Sequence, residues 1–477
     1  MRTAYSVDTV RTAEHALMAR LPEGALMQRA AAGLAVVCAE LLGRVYGSRV
    51  VLLVGSGDNG GDALYAGARL ARRGAGVVAV LLDAERAHRA GLAAFRAAGG
   101  RVAGPGEAVF DGADLVVDGI VGIGGRGGLR ERAVPLARAA AQSPAVVVSV
   151  DLPSGIDADT GQVTGEAVRA DVTVTFGAYK PGLLVDPGRE YAGAVRFVGI
   201  GLEPADGEAE LEALQHHDVA RLLPVPTGES DKYRRGVVGV VAGSARYPGA
   251  AVLAVAGALH GGAGAVRYVG PAAGAVVSRF PETLVSEGAP GKAGRVQAWV
   301  AGPGLGDDAS RLADVVAADV PVLIDADGLR LADARAVRGR AAPTLLTPHA
   351  GEAAALLGTP REDVEAERLA AVRELAARYR ATVLLKGSTT LVAGPDGGAV
   401  RVNPTGTPWL ATAGSGDVLS GLAGSLLASG LGVLDAGSVA AYLHGLAARR
   451  VSGGAPVVAQ DVAGALPGAW ADVRREA

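Results

Sequence analysis

A glycine-rich turn in the last quarter of the chain holds the residues whose spacing most clearly suggests chemistry. Residues 412–417 read T-A-G-S-G-D and run directly into V-L-S-G-L, which has the apolar spacing of a helix start. Backbone N–H groups can converge at the glycines, and the helix start adds the positive end of its dipole, so the turn suits a phosphate. Asp417 would repel a polyphosphate there, but it could be the general base that takes a proton from a substrate hydroxyl in phosphoryl transfer. The alternative is that Asp417 is only the N-cap of the helix.

Length and composition limit the classes of protein to which this chain can belong. With 477 residues it should hold two or three domains, and its 71 glycines punctuate apolar runs without forming a repeat. A net charge of −3 gives no electrostatic reason to expect nucleic-acid or membrane partners. The single cysteine, Cys38, excludes an intramolecular disulfide, and the start of the chain lacks an apolar signal core. We therefore expect a cytoplasmic α/β protein in which Cys38 packs in the core.

Strand-length apolar runs alternate with helical patterns in the first half of the chain. This alternation predicts a parallel, doubly wound α/β sheet, in which ligands bind at the carboxyl ends of the strands. Three polar turns follow strand ends here, so one crevice can collect all of them. The predicted strands are 50–54, 77–82, 115–118, 146–151 and 172–176, and the predicted helices are 25–42, 63–70, 85–98 and 135–142.

The first polar turn, residues 55–62, reads G-S-G-D-N-G-G-D. Its glycines spell the G-x-G-x-x-G pattern after a strand, and Asp83 lies where a ribose-binding acid would fall, so one alternative is a dehydrogenase. Against that alternative, Asp58 and Asp62 put carboxylates where a pyrophosphate would approach the helix start.

The other two turns add glycines, arginines and hard oxygen ligands. Residues 118–130 read D-G-I-V-G-I-G-G-R-G-G-L-R, and their glycines allow close approach to a ligand while the arginines could meet a phosphate. Residues 151–157 read D-L-P-S-G-I-D, a rigid turn that presents Asp151 and Ser154. Together, Asn59, Asp118 and Ser154 supply oxygen without thiolate or imidazole, which suits an alkali or alkaline-earth cation.

In order, D-N-G-G-D, D-G-I-V-G-I-G-G-R-G-G, D-L-P-S-G-I-D and F-G-A-Y-K-P-G resemble the NAD(P)H-hydrate epimerase domain over residues 1–205. The family more often has N-N-G-G-D-G in the first motif, where Asp58 and Ala63 stand here. By this resemblance Asp151 contacts the substrate and is a candidate catalytic residue, and Asn59, Asp118 and Ser154 ligate K⁺. The hydrated nicotinamide nucleotide would be held by Asp58, Asn59, Gly60, Gly61, Asp62, Gly122, Ile123, Gly124, Gly125, Arg126, Gly127 and Gly128.

An acidic segment with Pro and Gly at residues 201–214 is the best linker candidate. After it, predicted strands and helices alternate again. We therefore predict a first domain at residues 1–205, a linker at 206–215 and a second domain at 216–477. In the second domain each predicted strand again ends in a polar or glycine-rich turn. These strands are 237–242, 298–301, 321–324, 344–346 and 382–385, with a helix of small residues at 250–262.

The motifs A-G-P-G-L-G, D-A-D-G-L, L-T-P-H-A-G-E and L-L-K-G-S-T-T, followed by residues 405–421, resemble the NAD(P)H-hydrate dehydratase domain, which has a ribokinase-like fold. Taken alone, His349 is more simply interpreted as a loop histidine whose hydrogen bonds are made within the protein than as a catalyst. The family often has Pro where Ala350 stands. By the resemblance, Ala250, Gly304 and His349 line the hydrate site, and Asp417 acts on the hydrate hydroxyl. The nucleotide would be contacted by Lys386, Gly387, Ser388, Thr389, Thr390 and Gly416.

Together, the two resemblances imply two doubly wound α/β domains, a Rossmann-like three-layer sandwich and a ribokinase-like domain. They imply a repair enzyme that interconverts the epimers of the hydrates NADHX and NADPHX, with K⁺. Of the R and S epimers, it would then dehydrate the S form with Mg²⁺ and ADP or ATP. We also expect a homo-oligomer. One alternative is a vitamin or sugar kinase fused to a non-catalytic nucleotide-binding domain, since ribokinase-like folds serve several substrates.

Overall fold

The computed structural model describes residues 1–104, 109–204, 207 and 209–475. The chain divides into two compact units, Thr3–Glu210 and a second unit made of Met1–Arg2 with Leu211–Ala477. The division lies inside the segment predicted as a linker. Each unit has its own sheet and its own buried core.

The first unit is built on a seven-stranded sheet in the order β4-β3-β2-β5-β6-β7-β8, and all of its strand pairs are parallel. From β2 the chain adds strands first on one side (β3, β4) and then, from β5 on, on the other side, which makes the sheet doubly wound. Ligands bind in such sheets where this direction reverses, here between β2 and β5. Strand β1, Arg2–Ala4, precedes these strands in the chain and is not part of this sheet. The seven strands are β2 Arg49–Val54, β3 Gly76–Leu81, β4 Arg101–Ala103, β5 Leu115–Gly119, β6 Val146–Val150, β7 Val172–Phe176 and β8 Ala194–Val198.

Helices cover both faces of this sheet. They are α1 Val7–Met18, α2 Ala25–Leu42, α3 Asp58–Arg72, α4 Arg89–Ala97, α5 Val134–Gln142 and α6 Gly188–Tyr191, with a 3₁₀ turn at Pro181–Leu183. Side chains alternate along a strand, so Leu52 packs in the core shared with α2 and α3 while Leu53 packs in the core shared with α5. The three-layer α/β arrangement predicted from the sequence is confirmed.

Helix α2 is apolar enough, by length and composition, to cross a membrane, with a mean hydropathy of 1.5 over 18 residues. In the structure it packs against α3, and one of its faces lies in the core of the unit. Cys38 belongs to that face, and burial raises the pKa of its thiol to about 12. Cys38 is therefore a packing residue, as predicted.

Two predicted segments of the first unit differ from the structure. The D-N-G-G-D motif, predicted as a turn, is the first part of helix α3, which begins at Asp58 after the N-cap Gly57. The start of this helix packs closely on the backbone of Gly55, and a Cβ at Gly60 would lie only 2.3 Å from the Gly55 carbonyl oxygen, which explains the glycine there. Helix α4 begins later than predicted, because the Nδ1 atom of His88 accepts a hydrogen bond from Gly91 N and caps the helix.

The second unit has a longer sheet, ordered β9-β18-β17-β16-β15-β14-β13-β10-β11-β12. Its pairs are parallel except β16–β17 and β17–β18. The strands are β9 Leu211–Ala213, β10 Val237–Val241, β11 Ala265–Val269, β12 Leu284–Ser286, β13 Ala298–Ala301, β14 Val322–Ile324, β15 Thr344–Leu346, β16 Thr382–Leu385, β17 Thr390–Ala393 and β18 Val400–Asn403.

Helix α16 packs closely on α8 at the centre of the second unit. Small residues permit this contact, because a Cβ at Gly421 would lie 1.9 Å from the Ala254 carbonyl oxygen and one at Gly257 would lie 2.1 Å from that of Val418. The helices are α7 His216–Leu222, α8 Pro248–His260, α9 Ala273–Arg279, α10 Ala309–Val316, α11 Asp327–Leu331, α12 Ala334–Arg338, α13 Ala350–Leu357, α14 Arg361–Ala366, α15 Arg368–Tyr379, α16 Ser415–Ala428, α17 Val433–Ser452 and α18 Ala459–Arg475. Two 3₁₀ turns lie at Pro290–Lys292 and Pro408–Leu410.

Part of the predicted linker is a strand of the second unit. Strand β9 pairs with β18, and both Leu211 and Ala213 are buried. The linker prediction was therefore wrong at residues 211–213, where alternating apolar residues in an acidic segment form an outer strand.

We expect the two units to fold independently when the chain is cut between Glu210 and Leu211. A cut at residue 214 would remove β9 and should lower the thermal stability of the second fragment. Calorimetry of the two fragments should give one cooperative transition for each. The absence of a transition in both fragments would contradict two independently folding units.

Candidate active sites

A cavity of about 1420 Å³ opens at the carboxyl ends of β2 and β5 in the first unit, where the strand order reverses. Ten of the residues predicted to hold the substrate line it: Asp58, Asn59, Asp62, Gly122, Ile123, Gly124, Gly125, Arg126, Gly128 and Asp151. Gly60, Gly61 and Gly127 are not among its lining residues, and the first two are buried within α3. The three polar turns therefore meet at one cavity, although two glycines of the first motif serve packing.

The three proposed cation ligands all contact the segment that follows β5. Ser154 Oγ donates to Asp118 Oδ1 at 2.6 Å and accepts from Val121 N at 3.0 Å. Asn59 Nδ2 donates to the Val150 carbonyl oxygen at 2.9 Å, and a Cβ at Gly122 would lie 2.6 Å from Asn59 Oδ1. Asn59 lines the cavity, whereas Asp118 and Ser154 lie buried behind its wall.

Asp118 is a fully buried carboxylate whose hydrogen-bond donors are neutral. Besides Ser154, the hydroxyl of Ser149 donates to it at 2.8 Å and the backbone N–H of Ile120 at 3.3 Å. Burial raises the pKa of Asp118, and the hydrogen bonds oppose that effect. Among the described residues, no lysine, arginine or histidine forms an ion pair with it. Because a buried charge is costly without a counter-charge, this oxygen-rich position fits a small cation.

Asp151 is held in place by a buried ion pair that the sequence motifs did not reveal. Lys180 Nζ donates to Asp151 Oδ1 and, at 3.0 Å, to Thr175 Oγ1, while the N–H of Phe176 donates to the same carboxylate oxygen at 3.2 Å. Lys180 is only 1% exposed. Asp151 itself has a φ of 66°, the left-handed region that non-glycine residues rarely adopt. Asp151 is thus fixed at the cavity wall by contacts that offset this strain.

Two further carboxylates face the same cavity. Glu14 reaches it from α1, and Asp62 from the fifth position of α3. Burial raises the pKa of Glu14, with Lys180 opposing the shift and Asp151 adding to it. Sequence reasoning missed Glu14, since it belongs to none of the motifs.

In the second unit, Asp417 lies in the first turn of α16 and is not its N-cap. The N-cap is Gly414, which has a φ of 85°, and Asp417 is the third residue of the helix. The N-cap interpretation of Asp417 was therefore wrong. A carboxylate in this turn interacts favourably with the positive end of the helix dipole.

Burial raises the pKa of Asp417 to about 7, and the neighbouring carboxylate of Asp325 adds to the shift while Lys386 opposes it. Lys386 Nζ lies 2.7 Å from Asp325 Oδ1, and the hydroxyl of Ser420 donates to the other oxygen of Asp325 at 2.7 Å. Burial alone would lower the pKa of Lys386, but Asp325 and Glu352 raise it, so the ammonium group stays charged. The arrangement places a carboxylate of near-neutral pKa beside a fixed positive charge.

The predicted nucleotide-binding segment is the turn between β16 and β17. Arg368, a buried arginine of α15, donates to the carbonyl oxygens of Lys386 and Thr389, both at 3.1 Å. A Cβ at Gly387 would lie 2.3 Å from Arg368 Nη2, so a side chain there would have to displace the guanidinium group from these hydrogen bonds. Of the remaining predicted contacts, Ser388 is exposed, and Thr389 and Thr390 are buried. Gly416 lies close to this turn, since its Cβ would be 3.4 Å from Lys386 Nζ.

Two of the three predicted hydrate-site residues are neighbours. A Cβ at Gly304 would lie 2.6 Å from that of Ala250, in the first turn of α8. His349 is the N-cap of α13, where its Nδ1 atom accepts from the N–H groups of Gly351 at 3.0 Å and Glu352 at 3.1 Å. The Nε2 atom lies 3.5 Å from Glu352 Oε1, and the ring is exposed, so the capping role and a substrate contact are compatible.

His444 of α17 is a further buried group that the motifs did not indicate. Burial lowers the pKa of its ring to about 4, and the ring also hydrogen-bonds to the Ser415 backbone at the start of α16. Its Nε2 atom has no hydrogen-bond partner among the described residues. A histidine inside an otherwise apolar helix pattern was the only signal in the sequence.

Comparison with known proteins gives the same division of the chain. Residues 238–464 match the family model described as NAD(P)H-hydrate dehydratase, and residues 23–182 match the one described as YjeF-related protein N-terminus. The bifunctional NAD(P)H-hydrate repair enzyme Nnr of Mycobacterium tuberculosis is 52% identical over 441 residues, covering 90% of each chain. The enzyme of the same name from Mycobacterium leprae is 51% identical and covers 94% of each chain.

Solved structures resemble the second unit. The ADP/ATP-dependent NAD(P)H-hydrate dehydratase of Bacillus subtilis, co-crystallised with ATP and Mg²⁺, is 30% identical with a TM-score of 0.50. The match covers 54% of this chain and 97% of that one. A ribokinase-like superfamily protein of Enterococcus faecalis, at 23% identity and a TM-score of 0.50, shows the fold alone. The chain belongs to the family of bifunctional NAD(P)H-hydrate repair enzymes.

Proposed function

We propose that the first unit epimerises the hydrates of NADH and NADPH, and that the second dehydrates one epimer with a nucleotide. The observation that carries the proposal is Asp417, a carboxylate with a pKa of about 7 beside Lys386 at a helix N-terminus. A pKa near the working pH is what a general base requires. The family relationship supports the identity of the substrates, NADHX and NADPHX.

In the dehydratase reaction Asp417 would take the proton from the ring hydroxyl as its oxygen attacks the terminal phosphorus of ADP or ATP. The backbone N–H groups at the start of α16 would face the phosphates. Lys386, fixed by Asp325, would hold a positive charge beside the transferred group. Phosphorylation makes the hydroxyl oxygen a good leaving group, so the ring nitrogen can expel phosphate as a neighbouring proton is lost.

Mg²⁺ would neutralise charge on the nucleotide phosphates. The described residues contain no group of three or more histidine, cysteine, aspartate or glutamate side chains arranged to hold a metal ion. This fits Mg²⁺, which usually binds through substrate phosphates with one or two protein carboxylates. Asp325, Asp327 and Glu352, the acidic neighbours of Asp417, are the nearest such groups.

Product analysis separates the dehydratase from a vitamin or sugar kinase with the same fold. The full chain is incubated with purified hydrate, Mg²⁺ and ADP or ATP, and the products are separated by chromatography. We expect free phosphate and reduced nicotinamide nucleotide in equal amounts. A stable phosphorylated product would instead support a kinase.

For the epimerase unit we propose that Asn59, Asp118 and Ser154 hold K⁺. The buried, unpaired carboxylate of Asp118 supports this assignment, since the ion would supply its missing counter-charge. Its chemical contribution would be electrostatic, fixing the loop after β5 and the substrate that lies on it.

We expect Asp118→Ala to lower epimerisation by about 10–100-fold, because loss of groups that organise a metal site has effects of this order. Dehydration of the epimer that the second unit uses should be unchanged. Asp111→Ala, at an exposed position before β5, is the matched control. Wild-type protein should also gain thermal stability in K⁺ relative to a large organic cation, and Asp118→Asn should not. Full epimerisation by Asp118→Ala would remove the case for a cation.

We also propose that the protein is cytoplasmic and that it self-associates. Analytical ultracentrifugation of the full chain is the direct test of self-association.

A further inference from the structure

Asp62 is a buried carboxylate with no structural role that accounts for it. It is the fifth residue of α3, so it does not cap the helix, whose N-cap is Gly57. Its side chain is 8% exposed and lines the cavity of the first unit. Its Oδ1 atom is buried and has no hydrogen-bond partner among the described residues. Buried polar atoms are usually satisfied, and an exception in a cavity wall points to a ligand.

The charged groups that act on Asp62 are all acidic. They are Asp151 after β6, Asp58 in the same helix and Glu14 of α1. Lys180 is committed to Asp151, and His88, which packs against the neighbouring Gly61, uses Nδ1 to cap α4. Burial, followed by these three carboxylates, raises the pKa of Asp62 well above its ordinary value. This shift favours the protonated form of Asp62, which can donate its proton to a ligand in the cavity.

Asp151 and Asp62 thus have contrasting surroundings in one cavity. Asp151 is paired with Lys180 and accepts two further hydrogen bonds, whereas the Oδ1 atom of Asp62 has no hydrogen-bond partner among the described residues. Two carboxyl groups in contrasting surroundings are a usual arrangement for acid–base work.

We propose that Asp62 is the proton donor and acceptor of the epimerase reaction. This inference rests on the proposed function of the first unit. Water adds to an enamine double bond at the carbon attached to nitrogen, so the hydrate hydroxyl lies next to the ring nitrogen.

The reaction balances with Asp62 and water alone. The carboxyl group gives its proton to the hydroxyl oxygen, the carbon–oxygen bond breaks with its electron pair on the leaving water, and the nitrogen lone pair forms a carbon–nitrogen double bond. Water then adds to the opposite face, the electron pair returns to nitrogen, and the released proton returns to Asp62 through cavity water. The positive charge formed on the ring lies among carboxylates, including Glu14, Asp58 and Asp151. Such an environment stabilises a cationic intermediate.

The substitution Asp62→Asn keeps the shape of the side chain but cannot exchange the proton. With purified R-hydrate and a K⁺ salt, we expect its epimerisation rate to fall by about 10²–10⁴-fold, the usual cost of losing general acid–base catalysis. Its thermal transition should stay close to that of wild type, since the amide has the same shape as the protonated carboxyl group and is likewise uncharged. Asp111→Asn, an exposed carboxylate outside the cavity, should match wild type in both respects.

Each outcome decides between the possibilities. Epimerisation by Asp62→Asn within tenfold of wild type would overturn the assignment while leaving the epimerase function intact. No epimerisation by wild type would instead overturn the function of the unit. If the variant melts at a lower temperature, the wild-type pH profile decides. A rate that falls on the alkaline side supports a donor that must be protonated, and a flat profile from pH 5 to 9 contradicts it.

Discussion

Asp417→Asn should reduce dehydration by about 10²–10⁴-fold, because asparagine preserves the shape of the side chain but cannot accept the hydroxyl proton. Nucleotide affinity should hold or improve, since the change removes a negative charge beside the phosphates. In the wild type a base with a pKa of about 7 must be deprotonated to act, so turnover should rise as pH increases through 7. The variant should lose that rise.

The matched control is Asp435→Asn, which alters the carboxylate at the same third position of helix α17. It removes an equivalent interaction with a helix dipole, together with a 3.8 Å ion pair to Arg401, without touching the site, so turnover should stay near wild type. Thermal shift with and without nucleotide checks folding and binding in both variants. Near-wild-type turnover by Asp417→Asn would contradict the base assignment and the mechanism of the second unit.

Lys180→Met should destabilise the first unit by about 3–5 kcal/mol, the usual cost of removing one partner of a buried ion pair. Lys180 is fully buried, and its loss leaves the Asp151 carboxylate without a counter-charge. For a unit of this size, such a loss corresponds to a fall in melting temperature of about 6–20 °C. Calorimetry of the full chain should show the change in one transition only, because the second unit is untouched.

The double variant Asp151→Asn with Lys180→Met tests the cause of that destabilisation. It removes the unpaired charge, and asparagine tolerates the left-handed backbone of position 151, so much of the stability should return. Arg44→Met, at an exposed position, controls for the loss of a surface cation. If Lys180→Met melts like that control, the buried pair is not needed for folding.

The strands and the polar turns that follow them could be predicted from the sequence, since buried parallel strands are continuous apolar runs. The first motif was harder to predict. Glycines lower helix propensity, so residues 58–62 indicated a turn. In the structure these residues begin helix α3, where Gly60 packs closely on the backbone of Gly55. Strand β9 was hidden for a related reason, because an outer strand of three residues gives a weak pattern.

Local patterns also could not reveal partners that lie far apart in the chain. The pair of Lys180 with Asp151 joins residues 29 positions apart, and that of Lys386 with Asp325 joins residues 61 apart. A lysine is ordinarily exposed, so nothing local indicates that Lys180 is buried. Glu14 and Asp62 likewise acquire their chemistry from burial, which depends on the assembled fold.

Recovery of reduced nicotinamide nucleotide from mixed hydrate epimers tests the central claim most directly. Purified full chain is incubated with equal amounts of both epimers, K⁺, Mg²⁺ and ADP or ATP, and the absorbance of the reduced nicotinamide ring is followed. If both units are active, the absorbance should return fully. With Asp118→Ala, only the half that comes from the epimer used by the second unit should return quickly. No return of absorbance with either nucleotide would contradict the proposed repair function.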